Sequence, residues 1–223
     1  MEKLLAMLKS MPEYKLLLSA IENCQTAAVT GVGQINRSHI ISGLLAHNTR
    51  PVVVICQDDI TAKRLQAELA AFSAQTYPIL PTRELTFYDS AVVSREWEQK
   101  RLRQLYALCQ GETPLQILTW EALSQRTMPV STLLNASFTL AIGSEYPVDT
   151  LIQKLNDAGY RRCAMVEGPG QYAVRGGILD IFSPATDLPV RAEFFGDELD
   201  TMGYFNPEEE TSVPVCNAIM EIC

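Results

Sequence analysis

The 223-residue chain has two histidines, two tryptophans and no pair of cysteines in CxxC spacing. Cys24, Cys56, Cys109, Cys163, Cys216 and Cys223 are scattered. A chain of this length buries a core without covalent staples, so they read as free thiols. With only His39 and His47 to add, neither a zinc set nor a Cys–His nucleophile pair can be assembled. Long apolar runs are missing too. The longest uncharged stretch, Thr127 to Ser144, is interrupted by Pro129, Ser131, Thr132, Asn135, Ser137 and Thr139, which excludes a membrane span. At the N-terminus, Glu2 precedes a short apolar run over 4–8 that Lys9 closes, which is no secretory signal. These absences lead to the expectation of a cytoplasmic protein with no membrane partner, no metal and no catalytic centre. Nothing in the composition calls for an oligomer, so a monomer is expected.

Positive charge is scarce in one half. The formal charge is −8, and residues 128–223 hold only 5 Lys/Arg against 14 Asp/Glu, whereas residues 1–127 hold 13 against 12. Such a chain repels phosphate backbones and does not bind DNA or RNA tightly by itself. Lys154, Arg161, Arg162, Arg175 and Arg191 therefore stand out in the acidic half. Paired basics such as Arg161-Arg162 at a helix–strand junction are usually solvated, although with Lys154 they could extend a basic patch.

What is present is a chain that is 47% apolar, too apolar for disorder, and whose rhythm changes midway. The first half alternates helix and strand. An N-terminal helical stretch leads to a short strand at Ala27-Ala28-Val29, then a helix with Ile40, Ile41, Leu44 and Leu45 on one face. The β-branched run over 51–56 predicts a strand buried on both faces. A helix capped by Asp58 or Asp59 follows, then a weaker strand over 77–80, a helix over 97–109 and a strand over 115–118. That order predicts a parallel sheet covered by helices, an α/β domain over 1–126. Trp97 and Trp120 read as helix-face and core residues.

The second half predicts a strand over 137–142, a helix entered at Pro147 and left at Gly159, and then strands separated by glycine and proline turns. They fall at 163–166, 171–175, 178–182, 190–195 and 199–205. This is an antiparallel meander backed by one helix, a smaller α+β domain over 127–210.

The turn after the first expected strand nearly matches a phosphate-binding loop, G-x-x-x-x-G-K-[ST]. Gly31 and Ser38 fall on their positions, but Asn36 replaces the second glycine and Arg37 the lysine. Glycine lets backbone N–H groups close around phosphates, and a compact ammonium reaches the β/γ oxygens. Asn and Arg do neither job well, so the loop is expected to be degenerate, and no ATP or Mg²⁺ is expected on this chain.

Two linked motifs carry a family resemblance. Residues 172–184 contain Arg175-Gly176-Gly177-Ile178-Leu179-Asp180-Ile181-Phe182-Ser183-Pro184, and residues 189–200 contain Arg191-Ala192-Glu193-Phe194-Phe195-Gly196-Asp197-Glu198. Together they resemble the small domain shared by the excision-repair protein UvrB and the bacterial transcription–repair coupling factors (Mfd), with Ser183 inserted before the family's proline. The stretch over 80–89, from Leu80-Pro81 to Tyr88-Asp89, and the helix end Leu155…Gly159-Tyr160 are similar to coupling-factor segments. UvrB keeps an intact phosphate loop, so Asn36 and Arg37 favour the coupling factors; a UvrB-like P-loop ATPase is the alternative.

The resemblance implies a non-catalytic N-terminal module that binds UvrA, the damage-recognition ATPase. It also implies that RNA polymerase and DNA, with ATP and Mg²⁺ for a translocase motor, are engaged by domains not in this chain. Residues 211–223 would begin a return to the first domain. It further implies that the region is packed away until polymerase is engaged.

Alternation by itself puts Arg191, Glu193 and Phe195 on one strand face and Ala192 and Phe194 on the other. Phe195 is then exposed beside Arg191, with Arg175 nearby; in the opposite arrangement Phe195 is core and both arginines pair with Glu193, Asp197 or Glu198. Family members contact UvrA at positions corresponding to Arg175, Arg191 and Phe195. Asp180 has no partner acid or histidine for catalysis and reads as a turn residue.

Overall fold

Pro12 divides the N-terminal helical stretch. Proline lacks a backbone donor and suits the first turn of a helix, so α1 (Glu2–Leu8) ends and the chain restarts as α2 (Pro12–Glu22). A computed structural model describes residues 2–83, 96–207, 212–214 and 219–222. They form two compact units, one of residues 1–85 and 110–125, the other of 86–109 and 126–223.

In the first unit, α3 (Gln34–His47) precedes β1 (Val52–Cys56) and α4 (Asp59–Ser73). The Asp58 carboxylate caps α4 by accepting a 2.7 Å hydrogen bond from the Thr61 N–H, which holds its pKa below the ordinary value. After α5 (Glu96–Cys109), the chain returns as β2 (Leu115–Thr119), parallel to β1 with Val52 opposite Leu115, and enters α6 (Trp120–Ser124). Ala62, Leu65 and Leu69 of α4 pack with Cys56, Leu115 and Ile117.

This parallel pair is smaller than the expected sheet. Val53 and Ile55 are 56% and 51% exposed, because α4 covers one face of β1 and, among the described residues, no element covers the other. Residues 27–29 form no ladder, and residues 77–80 contribute only a bridge from Ile79 to Ile117. Trp120, expected in the core, is 66% exposed at the first position of α6.

The second unit contains α5, α7 (Val130–Ala136), β3 (Phe138–Ala141) and α8 (Val148–Asp157). Its main sheet comprises β4 (Arg161–Arg162), β5 (Gln171–Arg175), β6 (Ile178–Phe182), β7 (Val190–Phe195), β8 (Glu198–Phe205) and β9 (Ser212–Pro214), in sequence order. All neighbours are antiparallel except β4 and β5. The last strand, β10 (Ile219–Ile222), pairs antiparallel with β3.

Leu151 and Leu155 of α8 pack on one sheet face with Tyr172, Leu179, Ile181, Val190 and Leu199, all nearly inaccessible. Burying each such side chain contributes roughly 1.5–3 kcal/mol, so this is the anchor of the unit. Gly159 takes φ +86 just past α8, the left-handed stop that glycine permits.

Three differences from the expected organisation follow from long-range contacts. Helix α5 groups with the second unit: Gln99 donates to the Pro169 carbonyl and Arg103 pairs with Asp187. A single cut near residue 126 therefore does not divide the chain. The strand expected over 163–166 is replaced by the two-residue β4. The described backbone of 211–223 stays in the second unit, as β9 and β10, rather than returning to the first.

Candidate protein-interaction surface

The β5–β6 hairpin turns through Gly176 and Gly177. Gly176 has φ +61, the first-position geometry of a tight turn that glycine favours. Gly177 allows a close approach: the Phe194 N–H donates to its carbonyl at 2.7 Å, and a Cβ here would lie 2.6 Å from the Phe194 oxygen. The turn is thus tied to β7 one residue before Phe195.

Register does the rest. Ala173, Asp180 and Arg191 stand opposite one another across β5, β6 and β7, on the face turned away from α8. One end of that face is closed by a small apolar cluster of Val166, Ala173 and Phe205. At the other end Phe195 is 84% exposed, while Ala192 is buried and Phe194 packs against the α8-side core. The alternation expected for this strand is the one observed.

Asp180 is the surprise of the face. It lies mid-strand in β6, not in a turn, and is 1% exposed. Arg191 grips it with Nε to Oδ1 at 2.7 Å and Nη2 to Oδ2 at 3.0 Å, and Arg175 Nη2 donates to Oδ2 at 2.7 Å. The Arg191 guanidinium also lies 4.4 Å from the centroid of the Phe205 ring, a cation–π stack. Charge-assisted pairs of this kind repay the desolvation of a buried carboxylate only when its oxygens are well satisfied, as both are here. The arginines do pair locally, but with Asp180, and the exposed Glu193 shares the face with them and with Phe195.

Lys154 does not join this patch: it stands on α8, against the other face, 5.5 Å from the Phe138 ring. Arg161 and Arg162 are exposed on β4. What the face can present to a complementary surface is the Phe195 ring, the partly exposed Arg175 guanidinium and the Glu193 carboxylate. Asp180, Phe205 and Gly177 are the members that sequence reasoning missed; counting register through the two hairpins would have put Asp180 opposite Arg191.

The other candidate residues lie in the first unit. Gly31 has φ +75, and α3 starts at Gln34 without a side-chain cap. Asn36 and Arg37 are exposed, and the buried Ser38 hydroxyl donates to the Glu68 carboxylate of α4. Gly31 and Asn36 border a groove of about 920 Å³ whose lining includes Leu4, Met7, Met11, Leu16 and Glu13 but no lysine or arginine. Its chemistry is apolar. The segment over 84–89 of the coupling-factor-like stretch lies outside the described residues.

Residues 138–220 match the family model for the UvrB interaction domain, a span that contains the whole surface above. The chain is similar to the transcription-repair-coupling factor of Escherichia coli (strain K12), 31% identical over 212 residues, covering 94% of this chain and 18% of that protein. The factor from Myxococcus xanthus is 30% identical over 197 residues, 85% of this chain and 16% of that one. The factor from Bacillus subtilis (strain 168) is 26% identical over 221 residues, 98% and 19%. The chain thus spans less than a fifth of the length of these relatives. No helix among the described residues is long and apolar enough to cross a membrane. Over nearly its whole length, then, this chain is related to the transcription-repair-coupling factors, and its second half carries a UvrB interaction domain.

Proposed function

We propose that this chain is the recruiting part of a transcription–repair coupling factor, and that its second unit binds UvrA through Arg175, Arg191 and Phe195. The observation that carries the reading is Phe195, 84% exposed on the same sheet face as Arg175 and Arg191, within the span that matches the UvrB interaction domain. A large aromatic ring left in water costs solubility and is worth keeping at a binding surface, where aromatics and arginine dominate the energetics. On this reading the chain works as a monomer and catalyses no reaction. Its first unit is a helicase-like α/β body whose degenerate phosphate loop holds neither ATP nor Mg²⁺. RNA polymerase and DNA are engaged by parts of the relatives' length beyond this stretch, and binding of UvrA passes the signal of a stalled transcript to excision repair.

The test is titration of purified UvrA into the chain by isothermal calorimetry, beside Phe195→Ala. Phe195 makes little contact within its own fold, so the variant should melt like the wild type. It should lose affinity by about 30-fold, the equivalent of a hot spot of ~2 kcal/mol. No binding by the folded wild type, or equal binding by the variant, overturns the assignment.

A further inference from the structure

The two arginines of this surface are held unequally. Arg191 makes both ends of a fork onto Asp180, stacks on Phe205, and its side chain is 22% exposed. Arg175 reaches the same carboxylate through Nη2 alone, from the hairpin end of β5, and is 49% exposed. Asp180 makes no contact with solvent worth the name, at 1% exposure, and so cannot itself meet a partner. A buried charge in the middle of a strand is costly, and an apolar residue would serve a purely structural position at least as well. Its geometric consequence is that both guanidinium planes are fixed on the Phe195 face before anything binds.

We propose that Asp180 is the positioning residue of this surface: it clamps Arg191 and holds Arg175 at the hairpin edge so that a guanidinium and the Phe195 ring are pre-arranged for a partner carboxylate beside an apolar recess. The inference rests on the UvrA-binding reading and names the chemistry the partner must offer. Fixing long side chains beforehand removes the ordering cost that binding would otherwise carry, which slows dissociation.

The pre-arrangement can be separated from charge because the two predict opposite signs. Asp180→Asn keeps the shape and removes the one negative charge that both arginines contact. If only net charge mattered, this variant would bind an acidic partner more tightly; positioning requires it to bind more weakly, by about tenfold, through faster dissociation. The effects of Asp180→Asn and Arg175→Ala should also be strongly non-additive, because removing either breaks the same arrangement. UvrA binding to the 223-residue chain is measured by biolayer interferometry for wild type, each single variant and the double variant, with circular dichroism and thermal melts on all. Should Asp180→Asn fail to fold, Asp180→Glu takes its place: it preserves the charge and both proposed contact arginines but displaces the carboxylate that holds them, and an eightfold to tenfold weakening is expected.

Binding by folded Asp180→Asn (or Asp180→Glu) as tight as wild type overturns the inference, as does simple additivity. If Phe195→Ala loses binding while Asp180→Asn does not, the interface stands and only the positioning role falls. If the wild type itself does not bind, both fall.

Discussion

Two adjacent glycines in the β5–β6 turn should respond differently to the same methyl group. At Gly177 an added Cβ would meet the Phe194 carbonyl oxygen at 2.6 Å, and both partners are backbone, so neither can rotate away. The strands must part, weakening the 2.7 Å bond from the Phe194 N–H to the Gly177 carbonyl. Overpacking costs about 1–3 kcal/mol and a compromised hydrogen bond about 1 more, so Gly177→Ala should cost roughly 2–4 kcal/mol. At Gly176 a Cβ meets nothing within 4 Å, and the cost is conformational, since φ is +61. That is about 1–2 kcal/mol for alanine and near zero for asparagine, which tolerates the left-handed region. Urea denaturation followed by circular dichroism ranks the variants. The expected order of stability is wild type and Gly176→Asn, then Gly176→Ala, then Gly177→Ala, with Gly177→Asn no better than Gly177→Ala. Because Phe194 precedes Phe195, Gly177→Ala should also weaken UvrA binding in whatever fraction remains folded. A Gly177→Ala protein as stable as wild type would refute the close approach and with it the link between turn and surface.

Two further outcomes concern the first unit. The Tyr14 hydroxyl lies 3.0 Å from His47 Nδ1; burial pushes the tyrosine up to about 12, while burial and then the Lys9 charge hold His47 below its ordinary 6.5. The unfolded state therefore takes up the His47 proton first. The stability this neutral histidine contributes is complete above about pH 7 and falls away as pH drops below 6.5 toward the folded value. Urea midpoints from pH 7.5 to 5 should show that decline, and His47→Gln should flatten it; an unchanged slope would sink the assignment. Saturating Mg-ATP should leave the melting temperature of the chain where it is, because a ligand that binds only the folded state must raise it; a reproducible rise would restore the ATPase alternative.

The three strands that carry the surface could be read from local signals. Alternation over 171–175, 178–182 and 190–195, bounded by Gly176-Gly177, Ser183-Pro184 and Gly196, gives β5, β6 and β7 with the observed limits. The same period of two exposes Phe195 and buries Ala192. The helix cap at Asp58 and the stop at Gly159 are equally local. Helix α7 escaped, because Ser131, Thr132 and Asn135 are weak helix formers and its formation owes more to packing than to propensity.

Other features needed partners remote in sequence. A β-branched run cannot say how many of its faces will be covered, and Val53 and Ile55 remain open where the pattern expected burial. Helix α5 carries leucines three apart, yet its allegiance to the second unit is decided by Pro169 and Asp187, some seventy and eighty-four positions away. Asp180 is the clearest case. Alone it is an acid flanked by Leu179 and Ile181; only the pairing of three strands places it between two arginines and away from water. Side-chain period is a property of one strand and is written in its own residues. Which charges meet across a sheet is a property of register, which exists only once the strands are assembled.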